Sequence, residues 1–81
     1  MYYYVYIIRS VRFQDTIYVG CTTNVKKRIA THNAGSSTHT SKDHPWELVV
    51  SITFQGKDKA GQFERYLKSH SGRSFARKRL V

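Results

Sequence analysis

Residues 17–32 read IYVGCTTNVKKRIATH, and the change of pattern halfway along this stretch decides the fold. Ile17, Tyr18, Val19 and Cys21 are residues that suit a strand, and Thr22, Thr23 and Asn24 can each accept the free N–H groups at the start of a helix. Val25 and Ile29 then stand four apart, and Asn33-Ala34-Gly35 supplies a stop, so a strand passes directly into a short helix. The apolar pair predicts that this helix docks on the aliphatic face of a sheet. Arg28 and His32, also four apart, form a row beside that stripe. Inside the strand Gly20 packs nothing, which marks a bulge or the close approach of another group.

Upstream, every residue from Tyr2 to Ile8 is aromatic or β-branched, which suits a strand covered on both faces. The polar segment RSVRFQDT separates it from Ile17, so the two runs form an antiparallel hairpin with a loop of about six to eight residues. Pairing Ile8 near Thr16 sets Tyr6 opposite Tyr18 and Tyr4 opposite Gly20. With period two, Tyr2, Tyr4, Tyr6, Ile8, Tyr18 and Gly20 share a phenolic face, and Val5, Ile7, Ile17, Val19 and Cys21 an aliphatic one.

Downstream, residues 35–44 (GSSTHTSKDH) read as an exposed loop, and His39, His44 and His70, lacking zinc-ligand spacing, as loop or surface residues. After Pro45 the alternation of Trp46, Leu48, Val50, Ile52 and Phe54 with Glu47, Val49, Ser51 and Thr53 predicts a third strand buried on one side. Asp58 can cap the next helix, whose stripe is Ala60, Phe63 and Leu67 with Glu64 beside it. The tail SGRSFARKRLV predicts a short basic helix anchored by Phe75 and Leu80. The expectation is an α+β fold (an α/β sandwich): a three-stranded antiparallel sheet flanked by helices in the order β-β-α-β-α-α, forming one domain over residues 1–81.

Fourteen Lys and Arg against five Asp and Glu give a net charge of +9 over 81 residues, a field that attracts phosphate polymers. The cations are spread over several elements rather than lining one amphipathic helix, which argues against an anionic membrane as partner. A single cysteine, Cys21, forms no internal disulfide, and no export signal or apolar run of spanning length is apparent, so a cytoplasmic protein is expected. Taken one at a time the notable residues have plain structural readings. Tyr6 and Tyr18 suit a sheet, Cys21 a small buried hydrophobe, and Glu64 an exposed ion pair with Lys68 four positions on.

As an ordered set they say more. Val5-Tyr6-Ile7, then Tyr18-Val19-Gly20, then the arginine-bearing segment TTNVKKRIATHNAG, HPWELV and FERYLKSHSGRSF resemble the GIY-YIG nuclease superfamily over nearly the whole chain, most closely its small stand-alone members. Val5 stands where the family name has glycine, and Val19 where it has isoleucine. The distal asparagine of larger members has no counterpart, since Asn24 and Asn33 both precede Glu64.

The resemblance implies a metal-dependent endonuclease that hydrolyses DNA phosphodiester bonds with one Mg²⁺ or Mn²⁺, choosing structure such as flaps, branches or nicks, in repair or processing. The alternative is a non-catalytic nucleic-acid-binding module of the same fold. It implies Tyr6 or Tyr18 as general base, Arg28 on the scissile phosphate, His32 as a hydrogen-bonding partner and Glu64 as metal ligand. Gly20 would let a phosphate or the arginine helix come close, and Lys26, Lys27, Lys42, Arg65, Lys68 and Arg73 would hold the nucleic-acid backbone. The expected partner is DNA, RNA being a third reading since nothing in the sequence tests a 2′-hydroxyl preference, and target choice either reads DNA structure or relies on a partner protein; the expected state is a monomer or weak homodimer. A phenol works as a base only where positive charge favours phenolate, or where it relays a proton along a hydrogen-bonded chain.

Overall fold

The run of aromatic and β-branched residues near the N-terminus is the middle strand of the sheet, which is why it has no polar face. In the computed structural model, β1 (Tyr3–Ser10) lies between β2 (Ile17–Thr22) and β3 (Trp46–Phe54), antiparallel to both. The described residues are 1–35 and 40–81; the reading of His39 falls outside them. Val5, Tyr6, Ile7 and Ile8 are all buried, each side chain contributing about 1.5–3 kcal/mol of apolar transfer. The helices are α1 (Val25–Asn33), α2 (Lys57–Lys68) and α3 (His70–Arg79), with one 3₁₀ turn at Ser41–Asp43. The fold is α+β in the order β-β-α-β-α-α, as the sequence pattern implies.

Two cores lie on the two faces of the sheet. Val5, Ile7 and Val19 pack with Ala60 and Leu67 of α2 and Ala76 of α3. On the other face Tyr6, Ile8 and Trp46 pack with Tyr18 and Ile29 of α1. The arginine-bearing helix therefore covers the phenolic face, not the aliphatic one that Val25 and Ile29 suggest. Topology explains this: β2 and β3 are parallel to each other across β1, so α1 is a crossover connection, and one hand of crossover is strongly preferred. That rule, rather than residue polarity, selects the face.

The hairpin register differs by two residues from the expected one. Tyr6 pairs with Gly20 and Ile8 with Tyr18, which keeps every residue on its predicted face because the slip is even. The β1–β3 ladder carries a bulge between Ile7 and Ile8, where the partners step from Val50 to Leu48. The alternation in β3 is thereby broken. Trp46 and Leu48 fall on the α1 side, and Val50, Ile52 and Phe54 on the other, so β3 is not buried on one side along its length.

The helix ends follow local chemistry with two departures. Asn24 caps α1, its side chain accepting from the Lys27 N–H at 3.0 Å, and Gly35 beyond the last turn takes φ 76°, the left-handed value that favours glycine. Gly56, not Asp58, is the N-cap of α2, with Asp58 inside the first turn. In α3 the anchors are Gly72, Ala76 and the partly buried Leu80, while Phe75 is exposed. A Cβ at Gly72 would lie 1.6 Å from the Tyr66 carbonyl oxygen, so glycine there lets α3 close onto the end of α2.

Candidate active site

Gly20 and Tyr6 define the centre of the site, because they occupy the same space. A Cβ on Gly20 would sit 2.3 Å from the Tyr6 hydroxyl oxygen. The missing side chain admits the phenol of its cross-strand partner; it is not itself an opening for phosphate, and the bulge lies elsewhere, in the β1–β3 ladder. Held in that notch, Tyr6 is fully buried.

Above the notch, α1 presents His32 and Arg28 one turn apart. The Tyr6 hydroxyl lies 3.0 Å from His32 Nε2, and His32 Nδ1 lies 2.7 Å from Thr40 Oγ1. Arg28 also bears on the phenol oxygen. A guanidinium can only donate, and a neutral imidazole nitrogen accepts better than a phenol, so we assign the Tyr6 O–H as donor to Nε2 and the Nδ1–H as donor to Thr40. Thr40 is held in turn by the Trp46 indole N–H, which donates to its carbonyl at 3.0 Å. Asn33, read from the sequence only as a helix stop, bonds both the N–H and the carbonyl of Trp46. His32 and Thr40 are buried, and no buried side-chain polar atom among the described residues lacks a partner.

Burial dominates the electrostatics. It pushes the Tyr6 pKa up from the ordinary 10.0 despite the opposing pull of Arg28, so the phenol stays protonated. Burial, then the charge of Arg28, push His32 below 6.5, keeping the imidazole neutral at physiological pH. The Tyr6 phenol raises Arg28 further. Tyr18, partly exposed, meets His32 edge-on at 5.2 Å between ring centroids, and the Lys68 ammonium stands 5.7 Å from its ring centroid.

Glu64 comes from the other face, around the free edge of β2. Its field reaches Tyr6 and Cys21, raising both pKa values, although burial is the larger cause in each. Its carboxylate accepts from Lys68 Nζ at 3.1 Å. The ion pair anticipated on α2 and the field of Glu64 at Tyr6 therefore coexist. An exposed pair of this kind contributes little, so Lys68 leaves the carboxylate free to exchange partners. Among the described residues no three His, Cys, Asp or Glu converge; a hard divalent ion here would have Glu64 as protein ligand and take water and substrate oxygens otherwise, a donor set that fits hydrated Mg²⁺ or Mn²⁺.

Three grooves follow the β2 edge. One of about 510 Å³ is lined by Cys21, Thr22, Lys57, Glu64 and Arg65. A second, of about 320 Å³, is lined by Thr23, Asn24, Lys27, Arg28 and Thr31. A third, of about 420 Å³, includes Tyr18, Lys68, Arg73 and Arg77. Lys26 is exposed beside Lys27 on α1. Lys42 is set apart, in the 3₁₀ turn whose Asp43 carbonyl accepts from Ser10 at the end of β1. Thr40 is the residue that the sequence did not single out. A run of polar residues conceals which one turns inward.

The chain is similar in sequence and fold to several proteins. A UPF0213 protein of Staphylococcus haemolyticus is 40% identical over 70 residues, covering 85% of this chain and 83% of that protein. One from Natronomonas pharaonis is 40% identical over 70 residues, covering 85% and 80%. The structure-specific endonuclease subunit SLX1 homolog of Drosophila mojavensis is 43% identical over 72 residues, 78% of this chain but 24% of that longer protein. The solution NMR structure of a UPF0213 protein from Bacillus halodurans superposes with a TM-score of 0.57 at 32% identity, covering 95% of this chain and 81% of its own. The sequence profile of the GIY-YIG catalytic domain matches residues 2–79, and the chain belongs to the GIY-YIG nuclease family.

Proposed function

We propose that the protein is a metal-dependent endonuclease that hydrolyses DNA phosphodiester bonds at the β2 edge. The observation that carries this reading is the meeting of Arg28, His32 and Tyr6 on one face of the sheet with Glu64 around its edge, beside cationic grooves. Glu64 is the residue to hold a Mg²⁺ or Mn²⁺ ion, which when bound supplies a Lewis acid to phosphate oxygens. Arg28 bonds the scissile phosphate and stabilises the charge that accumulates as water adds. Tyr18, the site tyrosine with access to solvent, orients the attacking water and relays its proton, accepting it while giving its own hydroxyl proton to solvent, as the water oxygen bonds to phosphorus and the P–O bond to the leaving oxygen breaks. Tyr6, buried and protonated, keeps Arg28 and His32 in place and passes charge changes to the imidazole along its hydrogen bond. Lys27, Arg65, Lys68 and Arg73 neutralise flanking phosphates without reading bases.

The name structure-specific endonuclease borne by the Drosophila relative supports a preference for branched or flapped DNA over plain duplex. Purified protein incubated with both, with Mg²⁺ or Mn²⁺, should cut the branched substrate. Glu64→Ala and Arg28→Ala should each lower the rate by about 10²-fold or more, and Tyr18→Phe should cost more than Tyr6→Phe. Salt-sensitive binding with no product under any metal would instead indicate a non-catalytic binding module.

A further inference from the structure

We propose that the groove between β2 and α3 is a pocket for one unpaired nucleotide next to the bond to be cleaved. The inference rests on the nuclease reading and names a substrate feature that the reading leaves open.

The groove encloses about 420 Å³, and its floor is apolar, built from Ile17, Leu67 and Ala76. Tyr18 forms one wall, so the pocket adjoins the candidate site. Lys68, Arg73 and Arg77 stand around it; Asp15 is the acidic residue of the lining, and Lys68 is shared with Glu64 at 3.1 Å. The Arg77 guanidinium donates to the Asp15 carbonyl oxygen at 3.4 Å, which fixes it near the β1–β2 loop. An apolar floor beside an aromatic ring accepts a flat heterocycle, and three cations accept its phosphates; a nucleotide has both parts. A base inside a duplex is stacked on both sides and cannot enter, so the occupant is unpaired. With apolar contacts and cations that meet phosphates in place of a fixed pattern of donors and acceptors for base edges, the pocket holds any base.

The test measures binding by the full chain carrying Glu64→Gln, which removes cleavage. The probes are a flapped DNA and a blunt duplex of equal length and charge, plus flaps with a single abasic site at each position near the junction. Stacking of one base predicts about tenfold tighter binding of the flap, lost when one particular junction position is abasic. Ile17→Trp, which fills the pocket, and Arg77→Gln should each reduce the flap-to-blunt ratio, with thermal melting confirming a folded protein. Equal affinity for flap and blunt DNA, or an abasic scan flat at every position, overturns the pocket. Displacement of the flap by oligo-glutamate of matched charge, showing a surface selective only for acid, overturns it too. Cleavage by the parent chain without a pocket effect would defeat this inference and leave the nuclease reading standing; a pocket effect without cleavage would do the reverse.

Discussion

The two faces of the sheet are built by different means. Below, α2 and α3 close over Val5, Ile7, Val19 and Leu67, an aliphatic layer in which shape and area do most of the work. Above, α1 closes over Tyr6, His32, Thr40 and Trp46, whose polar atoms are joined in a chain. The first face stabilises the fold without fixing any group for chemistry. The second fixes the imidazole to within hydrogen-bond tolerance, one helical turn from Arg28, and any broken link leaves a buried polar atom unpaired. Structure and site are thus separable across a single sheet, with Glu64 and Lys68 of α2 reaching from the aliphatic side toward the polar one.

The contrast is broken most severely at the aliphatic face. Gly72→Ala drives a methyl into the Tyr66 carbonyl and should destabilise by about 3 kcal/mol or more, whereas Leu67→Ala should cost about 2–5 kcal/mol; urea denaturation measures both. Gly20→Ala lies between the faces. Its methyl would displace the Tyr6 hydroxyl, costing about 1–3 kcal/mol, and should reduce cleavage far more than a destabilisation of that size explains. On the polar face Thr40→Val removes the partner of His32 Nδ1 and should cost about 1–3 kcal/mol, with cleavage impaired in protein that is still folded. The smallest effect is at the surface: Lys68→Ala should change stability by less than about 1 kcal/mol.

Acid should act on the polar face first. His32 has its pKa lowered on folding, so the unfolded chain takes up a proton before the folded one does. Stability from this group is fully present above 6.5, the ordinary histidine value, and is lost as pH falls through it. Urea melts between pH 8 and 5 should show that decline, and His32→Gln should flatten it.

Much of this was legible in the sequence where local rules act. The unbroken aromatic and β-branched run from Tyr2 to Ile8 reads as a strand covered on both faces, the Thr22–Asn24 run as a helix start, and Asn33 to Gly35 as its stop. No local rule picked out Tyr6, Tyr18, Arg28, His32 and Glu64 together; the family resemblance did, and the structure sets Tyr6 in the central strand beneath Arg28 and His32, with Tyr18 on β2 and Glu64 on α2. Non-local decisions were hidden. The face taken by α1 depends on crossover handedness, which no residue pattern encodes. The bulge at Ile7/Ile8 splits β3 between the faces, although the alternation of Trp46 to Phe54 looked uniform. Thr40 joins the site through a fold of the chain that a polar segment does not advertise, and the notch at Gly20 is explained only once Tyr6 is known to sit across from it.

We propose that the two faces meet in a site where Glu64, beside Cys21 and Thr22 at the β2 edge, holds a divalent ion. Paramagnetic broadening of backbone amide resonances on titration with Mn²⁺ tests it directly. The account predicts selective loss of signals from Gly20, Cys21 and the α2 turn around Glu64, abolished in folded Glu64→Ala. Broadening centred on Asp15, Glu47 or Asp58, or a pattern unchanged by Glu64→Ala, would contradict it.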